Sequence, residues 1–280
     1  MNLIRSWMFV PGKHRQRMID KALGVSADAI MSDIEDGMAP NEKDTARNNI
    51  AESLGREKAP GSPARYVHIN AIGHARMDAD LEAVIQPGLE GLVCPKVDAP
   101  DEVRKIDAIL NDREPKNKLE KKSVKLLIAI ESPQGLLNAP AIAASSSRVA
   151  GLLFGAEDFG REIGLPAVRE REARDLIYAR SSIVFAAASA HVQAIDGVWV
   201  DLNDSEGLLG FGGQLIDRPI VERARRTIDT AKSLGMIQGS EKFARRFDRH
   251  SGHPGSQSGV ARPGIQNFKT LDAGVRRYDS

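Results

Sequence analysis

The sequence predicts an α/β fold of the TIM (β/α)8-barrel type, with its eighth strand-and-helix unit shortened or missing. Three observations carry this expectation. Short apolar runs recur along the chain, helix-patterned segments separate them, and the glycine signatures of open nucleotide-binding sheets are absent. Continuous apolar runs suit parallel strands buried on both faces. Their spacing of roughly 25 to 45 residues leaves room for a crossover helix each time.

The first run is Trp7-Met8-Phe9-Val10, ending in Pro11-Gly12-Lys13. From Arg15 to Leu23, Met18, Ile19, Ala22 and Leu23 share one helical face, and Gly24 follows as a stop. The second run, Ala29-Ile30-Met31, leads into Asp33-Ile34-Glu35-Asp36-Gly37, and a charged periodic stretch covers Asn41 to Leu54. Tyr66-Val67 runs into His68-Ile69-Asn70, and Leu92-Val93-Cys94 into Pro95-Lys96. Leu126 to Ile130 ends in Glu131-Ser132, and Leu152-Leu153-Phe154 in Gly155-Ala156-Glu157-Asp158. Val168 to Ala190 carries the longest helical pattern, and Val198-Trp199-Val200 is read as the seventh strand, before Asp201-Leu202-Asn203-Asp204. Neither G-x-G-x-x-G nor G-x-x-x-x-G-K-[ST] occurs, which favours a barrel over an open doubly wound sheet. In a barrel the active site is built at the C-terminal ends of the strands.

Composition narrows the function. The 280 residues carry 39 Lys+Arg against 38 Asp+Glu, a net charge of +1 that supplies no general nucleic-acid-binding face. A lone cysteine, Cys94, forms no intramolecular disulfide or multi-cysteine zinc site and suits a reducing cytoplasm. No apolar run approaches the ~20 residues of a membrane span, and Arg5 and Pro11 interrupt the only candidate leader. The expectation is a cytoplasmic enzyme with no membrane and no nucleic-acid partner.

Acidic residues end four of the seven runs. Converging carboxylates repel unless they are protonated or share a cation. With no Cys/His cluster nearby, hard oxygen ligands favour Mg²⁺, and Glu131 and Asp158, one unit apart, form the best ligand pair. The alternative is that such acids cap the next helix or pair with arginines. Lys13, His14, Arg15 and Arg17 place cations where a helix begins, either an anion site or a solvated charge run. His68 reads as an acid/base, a substrate contact or a satisfied buried histidine. Cys94, inside an apolar run, is most simply core.

These stretches resemble the citrate lyase β-subunit family, the acyl-CoA lyase branch of the HpcH/HpaI aldolase superfamily. The matching segments are Arg5 to Gly12, Asp33-Ile34-Glu35-Asp36-Gly37 with Pro40 and Lys43, Ile69-Asn70-Ala71, Pro95-Lys96, Ile130-Glu131-Ser132, Gly155-Ala156-Glu157-Asp158 and Ala194-Ile195-Asp196. The resemblance implies a Mg²⁺-dependent lyase that breaks a C–C bond beside a CoA thioester of the citryl-, malyl- or citramalyl-CoA type. It would yield acetyl-CoA and an oxo acid. It implies Glu131 and Asp158 as metal carboxylates, with Glu131 also near the substrate, and Asp36 as a nearby catalytic acid. Lys13, Arg15 and Arg17 would lie near the CoA phosphates. It also implies a homo-oligomer, a trimer or a multiple of one, whose sites are completed between subunits.

Two departures from that family stand out. His68 occupies a position where the family usually has Arg, which contacts the oxo-acid fragment. After Gly207 the chain passes almost at once to Gln214-Leu215-Ile216-Asp217-Arg218-Pro219, which resembles the family's C-terminal segment and leaves no room for an eighth unit. Asp217 would then be the catalytic acid/base that reaches a neighbouring subunit, with Ile220 to Leu234 a helix. Residues 1–237 are thus expected to form the lyase-like domain, 214–237 its C-terminal segment. Residues 238–280, with 8 Lys+Arg against 4 Asp+Glu and no apolar period, read as a disordered basic tail. Two other functions fit these departures: a catalytically degenerate CoA- or partner-binding homologue, and a CoA-independent oxo-acid aldolase.

Overall fold

The computed structural model describes residues 4–13, 18–165, 174–198, 210–211, 214–215 and 229. These belong to the first of two units into which the chain divides, Met1–Gln238 and Gly239–Ser280.

Seven strands make one parallel sheet in sequence order. They are β1 (Trp7–Pro11), β2 (Ala29–Asp33), β3 (Ala64–His68), β4 (Gly91–Cys94), β5 (Lys125–Ile130), β6 (Val149–Phe154) and β7 (Gln193–Ile195). Helices alternate with them: α1 (Asp20–Ala22), α2 (Lys43–Leu54), α3 (Met77–Val84), α4 (Pro100–Lys116), α5 (Pro133–Ala143), the short α6 (Ala156–Glu162) and α7 (Ile177–Ser189). The starts follow local chemistry. Glu102 reaches back to accept the backbone N–H of Ala99 at 2.9 Å ahead of Pro100. Ser132 Oγ accepts the Gly135 N–H at 2.8 Å ahead of Pro133.

The period-2 alternation of the strands sorts side chains into two layers. Trp7, Phe9, Ala29, Met31, Ala64, Tyr66, Val93, Leu127, Leu153 and Ile195 pack together on one face. Val10, Ile30, Val67, Leu92, Cys94, Ile128, Leu152 and Phe154 lie in the second layer with the helices. The first set is the concave face of a curled sheet. Asp33 and His68 at the ends of β2 and β3, and Glu131 just past β5, continue its alternation, so the same rule that fills the interior aims them at its mouth. Cys94 is fully buried in the helix-facing layer, and burial pushes its thiol up to about 12.

The curl brings the last strand back to the first. The Gln193 side-chain amide in β7 pairs with the Ile4 backbone, donating to its carbonyl and accepting its N–H at 3.4 Å. No strand pairing joins β1 to β7 among the described residues, so the sheet is a curled half-barrel rather than a closed one. Gly210–Phe211 and Gln214–Leu215 form a separate two-stranded antiparallel pair, β8 and β9, outside this sheet.

One strand differs from expectation. The seventh is Gln193–Ile195, which pairs with Gly151, Leu152 and Leu153, and not Val198-Trp199-Val200. Val198 lies beyond it, half-exposed, while 199–200 fall outside the described residues. An edge strand is not buried on both faces, so it lacks the continuous apolar signal that marks the inner ones.

At the end opposite the mouth, Arg148 is fully buried just before β6. Its guanidinium grips both carboxylate oxygens of Glu114 at 2.5 and 2.7 Å, Asp107 at 2.6 Å and the carbonyl of Val124 at 3.1 Å. This clamps α4 to the floor of the sheet. No described helix is long and apolar enough to cross a membrane.

Candidate functional site

The mouth is assembled from the ends of β2 to β6. Asp33, the last residue of β2, pairs in register with His68, the last of β3. Its carboxylate is held at every side: Oδ1 accepts the Glu35 N–H and His68 Nδ1–H, each at 3.0 Å, and Oδ2 accepts the Gly37 N–H at 2.9 Å. The β1 end packs tightly against it. Gly12 donates its N–H to the Asp33 carbonyl at 3.1 Å, and a Cβ at Gly12 would sit 2.7 Å from that oxygen. Only glycine fits there.

Lys96, directly after β4, ties three acidic groups together. Its Nζ lies 2.5 Å from Glu35 Oε1 and 2.7 Å from Asp36 Oδ2, while its backbone N–H donates to Glu131 Oε2 at 3.1 Å. The backbone adopts a left-handed conformation, φ 55°, which costs a non-glycine residue free energy and clusters at functional sites. Glu35 and Asp36 raise the Lys96 ammonium further above its usual range, outweighing burial, so it stays charged.

Glu131 and Asp158 complete the mouth from β5 and the first turn of α6. Burial and then the Asp158 charge push the Glu131 carboxyl well above the usual carboxylate range. Burial likewise lifts Asp158, against the pull of Lys96 and Arg161. Arg161 Nη2 lies 2.5 Å from Asp158 Oδ1, one turn along α6. Gly155 makes room for Glu131: a Cβ there would stand 2.3 Å from Glu131 Cγ.

No group of three His, Cys, Asp or Glu side chains poised around one point occurs among the described residues. A buried carboxylate beside a partly buried one, Glu131 and Asp158, fits Mg²⁺, which typically takes one or two protein carboxylates and completes its octahedron with water and substrate oxygens. Zn²⁺, which wants three or four protein ligands, is not fitted by this set.

His68 is nine-tenths buried, with Phe9 edge-on to its ring and Nε2 meeting no hydrogen-bond partner. Burial alone would lower its pKa. The hydrogen bond and charge of Asp33, reinforced by Glu35 and Glu131, raise it instead to about 9.

The structure thus brings Asp36, His68, Glu131 and Asp158 to one mouth. Lys13 lies apart from that acidic set in its contacts: its Nζ is 2.6 Å from Glu42, and its side chain is half-exposed. Arg15, Arg17 and Asp217 lie outside the described residues. Sequence reasoning assigned no role to Asp33, Glu35 or Lys96. Their position at the strand ends was legible, and the alternation that aims Met31 inward aims Asp33 inward as well.

Comparison with known proteins agrees with this architecture. The HpcH/HpaI aldolase/citrate lyase family model matches residues 5–218. The chain is 34% identical to the citrate lyase subunit beta of Escherichia coli K12, covering 85% of this chain and 87% of that one. That match spans 268 positions yet uses 85% of 280 residues, so about 30 of its positions face gaps here. The mitochondrial citramalyl-CoA lyase of Rattus norvegicus is 31% identical, over 77% of this chain and 68% of its own. Among solved structures, the citrate lyase beta subunit of M. tuberculosis complexed with oxaloacetate and magnesium superposes with TM-score 0.58 at 28% identity, covering 73% of this chain and 84% of that chain.

Proposed function

Since the chain belongs to the HpcH/HpaI aldolase/citrate lyase family, we propose that it is a Mg²⁺-dependent carbon–carbon lyase. Its substrate would be a 3-hydroxyacyl-CoA thioester, cleaved to acetyl-CoA and an oxo acid. The observation that carries this reading is the juxtaposition of buried Glu131 with partly buried Asp158, whose charge raises the Glu131 carboxyl and which a divalent cation would relieve.

Bound between them, Mg²⁺ would stabilise negative charge on the substrate oxygen as the C–C bond breaks. The chain's own residues supply the rest. Lys96 fixes the Glu131 carboxylate through its N–H and is shared by Glu35 and Asp36, while Arg161 pairs with Asp158, so the acidic excess at the mouth exceeds the cations that face it. His68 adds a buried cationic donor for an anionic oxo-acid fragment. Asp36 is assigned to proton transfer, with its carboxylate held ready by Lys96. Asp217, Arg15 and Arg17 keep their roles in this reading as the second acid/base and the CoA-phosphate contacts.

On this reading residues 1–237 are the lyase domain, 238–280 a basic tail, and the active form a cytoplasmic homotrimer. Sedimentation of the full chain tests the last point; a monomer contradicts it.

The function is tested by acetyl-CoA release from citryl-, malyl- and citramalyl-CoA with and without Mg²⁺. Metal-dependent release from one of them is the expected result. Folded protein that cleaves none of them refutes the lyase reading and leaves the degenerate, CoA-binding homologue, which the shortened chain favours.

A further inference from the structure

The acidic groups at the mouth are all engaged. Asp33 is saturated by two backbone N–H groups and His68. Glu35 and Asp36 hold Lys96, Glu131 accepts the Lys96 N–H, and Asp158 faces Arg161. His68 differs from them. One ring nitrogen is locked by a carboxylate that is itself locked, and the other is buried with no hydrogen-bond partner. A buried polar atom without a partner is destabilising, so a ligand that supplies one is favoured there. Asp33 also fixes the ring orientation and keeps the Nδ1–H tautomer, which leaves Nε2 as the nitrogen that exchanges a proton.

We propose that His68, oriented by Asp33, is the group that protonates the thioester carbon in this chain, through Nε2, working with Asp36. This rests on the lyase reading above and deepens it. In the cleavage direction the bond between C2 and C3 of the thioester breaks, and its electron pair becomes the thioester enolate. The 3-hydroxyl loses its proton as the oxo-acid carbonyl forms. Asp36 accepts the hydroxyl proton, imidazolium Nε2–H passes its own proton to C2, giving the acetyl methyl group, and the proton held on Asp36 then returns to the imidazole. One proton moves from oxygen to carbon, nothing is oxidised or reduced, and no co-reactant is needed. In the reverse direction, neutral His68 removes a methyl proton from acetyl-CoA.

The reverse step gives a test separate from turnover. Acetyl-CoA is incubated in D₂O with Mg²⁺ and, in turn, pyruvate, glyoxylate and oxaloacetate, and methyl deuteration is followed by mass spectrometry. The native chain is expected to exchange. His68→Gln, which keeps a donor near Nε2 but carries no transferable proton, is expected to lower exchange and kcat by at least ~100-fold. Its KM and Mg²⁺ affinity should stay within ~3-fold. In His68→Ala, free imidazole should restore part of the exchange, which covers the case in which the glutamine variant misfolds. Undiminished exchange in His68→Gln, or a raised KM with unchanged kcat, overturns the proposal while leaving the lyase reading standing. Native protein that neither cleaves nor exchanges removes both.

Discussion

Replacing Gly155 with alanine puts a methyl group where the structure holds the Glu131 side chain. The added Cβ would lie 2.3 Å from Glu131 Cγ, 2.6 Å from Oε1 and 2.8 Å from Cδ. Carbon atoms pack at about 3.5–4.0 Å, so the carboxylate must move by about 1–1.5 Å. A shift of that size breaks the 3.1 Å bond from the Lys96 N–H and turns the carboxylate away from Asp158. Disturbing the groups that orient a ligand typically costs 10–100-fold in metal affinity. Gly155→Ala should therefore weaken Mg²⁺ or Mn²⁺ binding by about 10- to 100-fold, read by titration calorimetry. Overpacking should cost about 1–3 kcal/mol of stability, read by urea denaturation. A folded Gly155→Ala protein with native metal affinity would refute the placement of Glu131 as a ligand.

Three further outcomes are expected. Asp158→Asn should abolish metal-dependent turnover with the fold intact by circular dichroism; retained activity would remove Asp158 from the ligand pair. Arg148→Met should lose about 3–5 kcal/mol in urea denaturation, because it strands the fully buried Glu114 without its cation; a loss below 1 kcal/mol would show that the clamp is dispensable. Mg²⁺ affinity should rise with pH through neutrality. Glu131 and Asp158 have raised pKa values, so their protons compete with the metal and leave as it binds. Calorimetry in buffers of different ionisation enthalpy reads that release, and buffer-independent heats would contradict it.

The inner strands were legible because burial on both faces leaves an uninterrupted apolar run, as at Leu126 to Ile130. The edge strand was misplaced for the converse reason. Gln193-Ala194-Ile195 is partly exposed, and Val198-Trp199-Val200 is simply more apolar. Strand-end position singled out Glu131 and Asp158 and drew attention to His68, whereas Asp36 came only with the family resemblance. It could not show the role of Lys96, which depends on a left-handed backbone and on partners 60 and 61 residues away. The Asp33–His68 pair was hidden similarly, since it requires the register that sets β2 beside β3. Arg148 reads as an ordinary surface arginine until the fold gathers Asp107 and Glu114 around it.

The central claim is that Glu131 and Asp158 share one divalent cation at the barrel mouth. Anomalous diffraction from crystals of the full chain grown with Mn²⁺ tests it directly. The account predicts one strong peak within about 2.0–2.4 Å of a carboxylate oxygen from each residue, the remaining ligands being water. A peak bound by other groups, or none at a Mn²⁺ concentration that supports turnover, would contradict it.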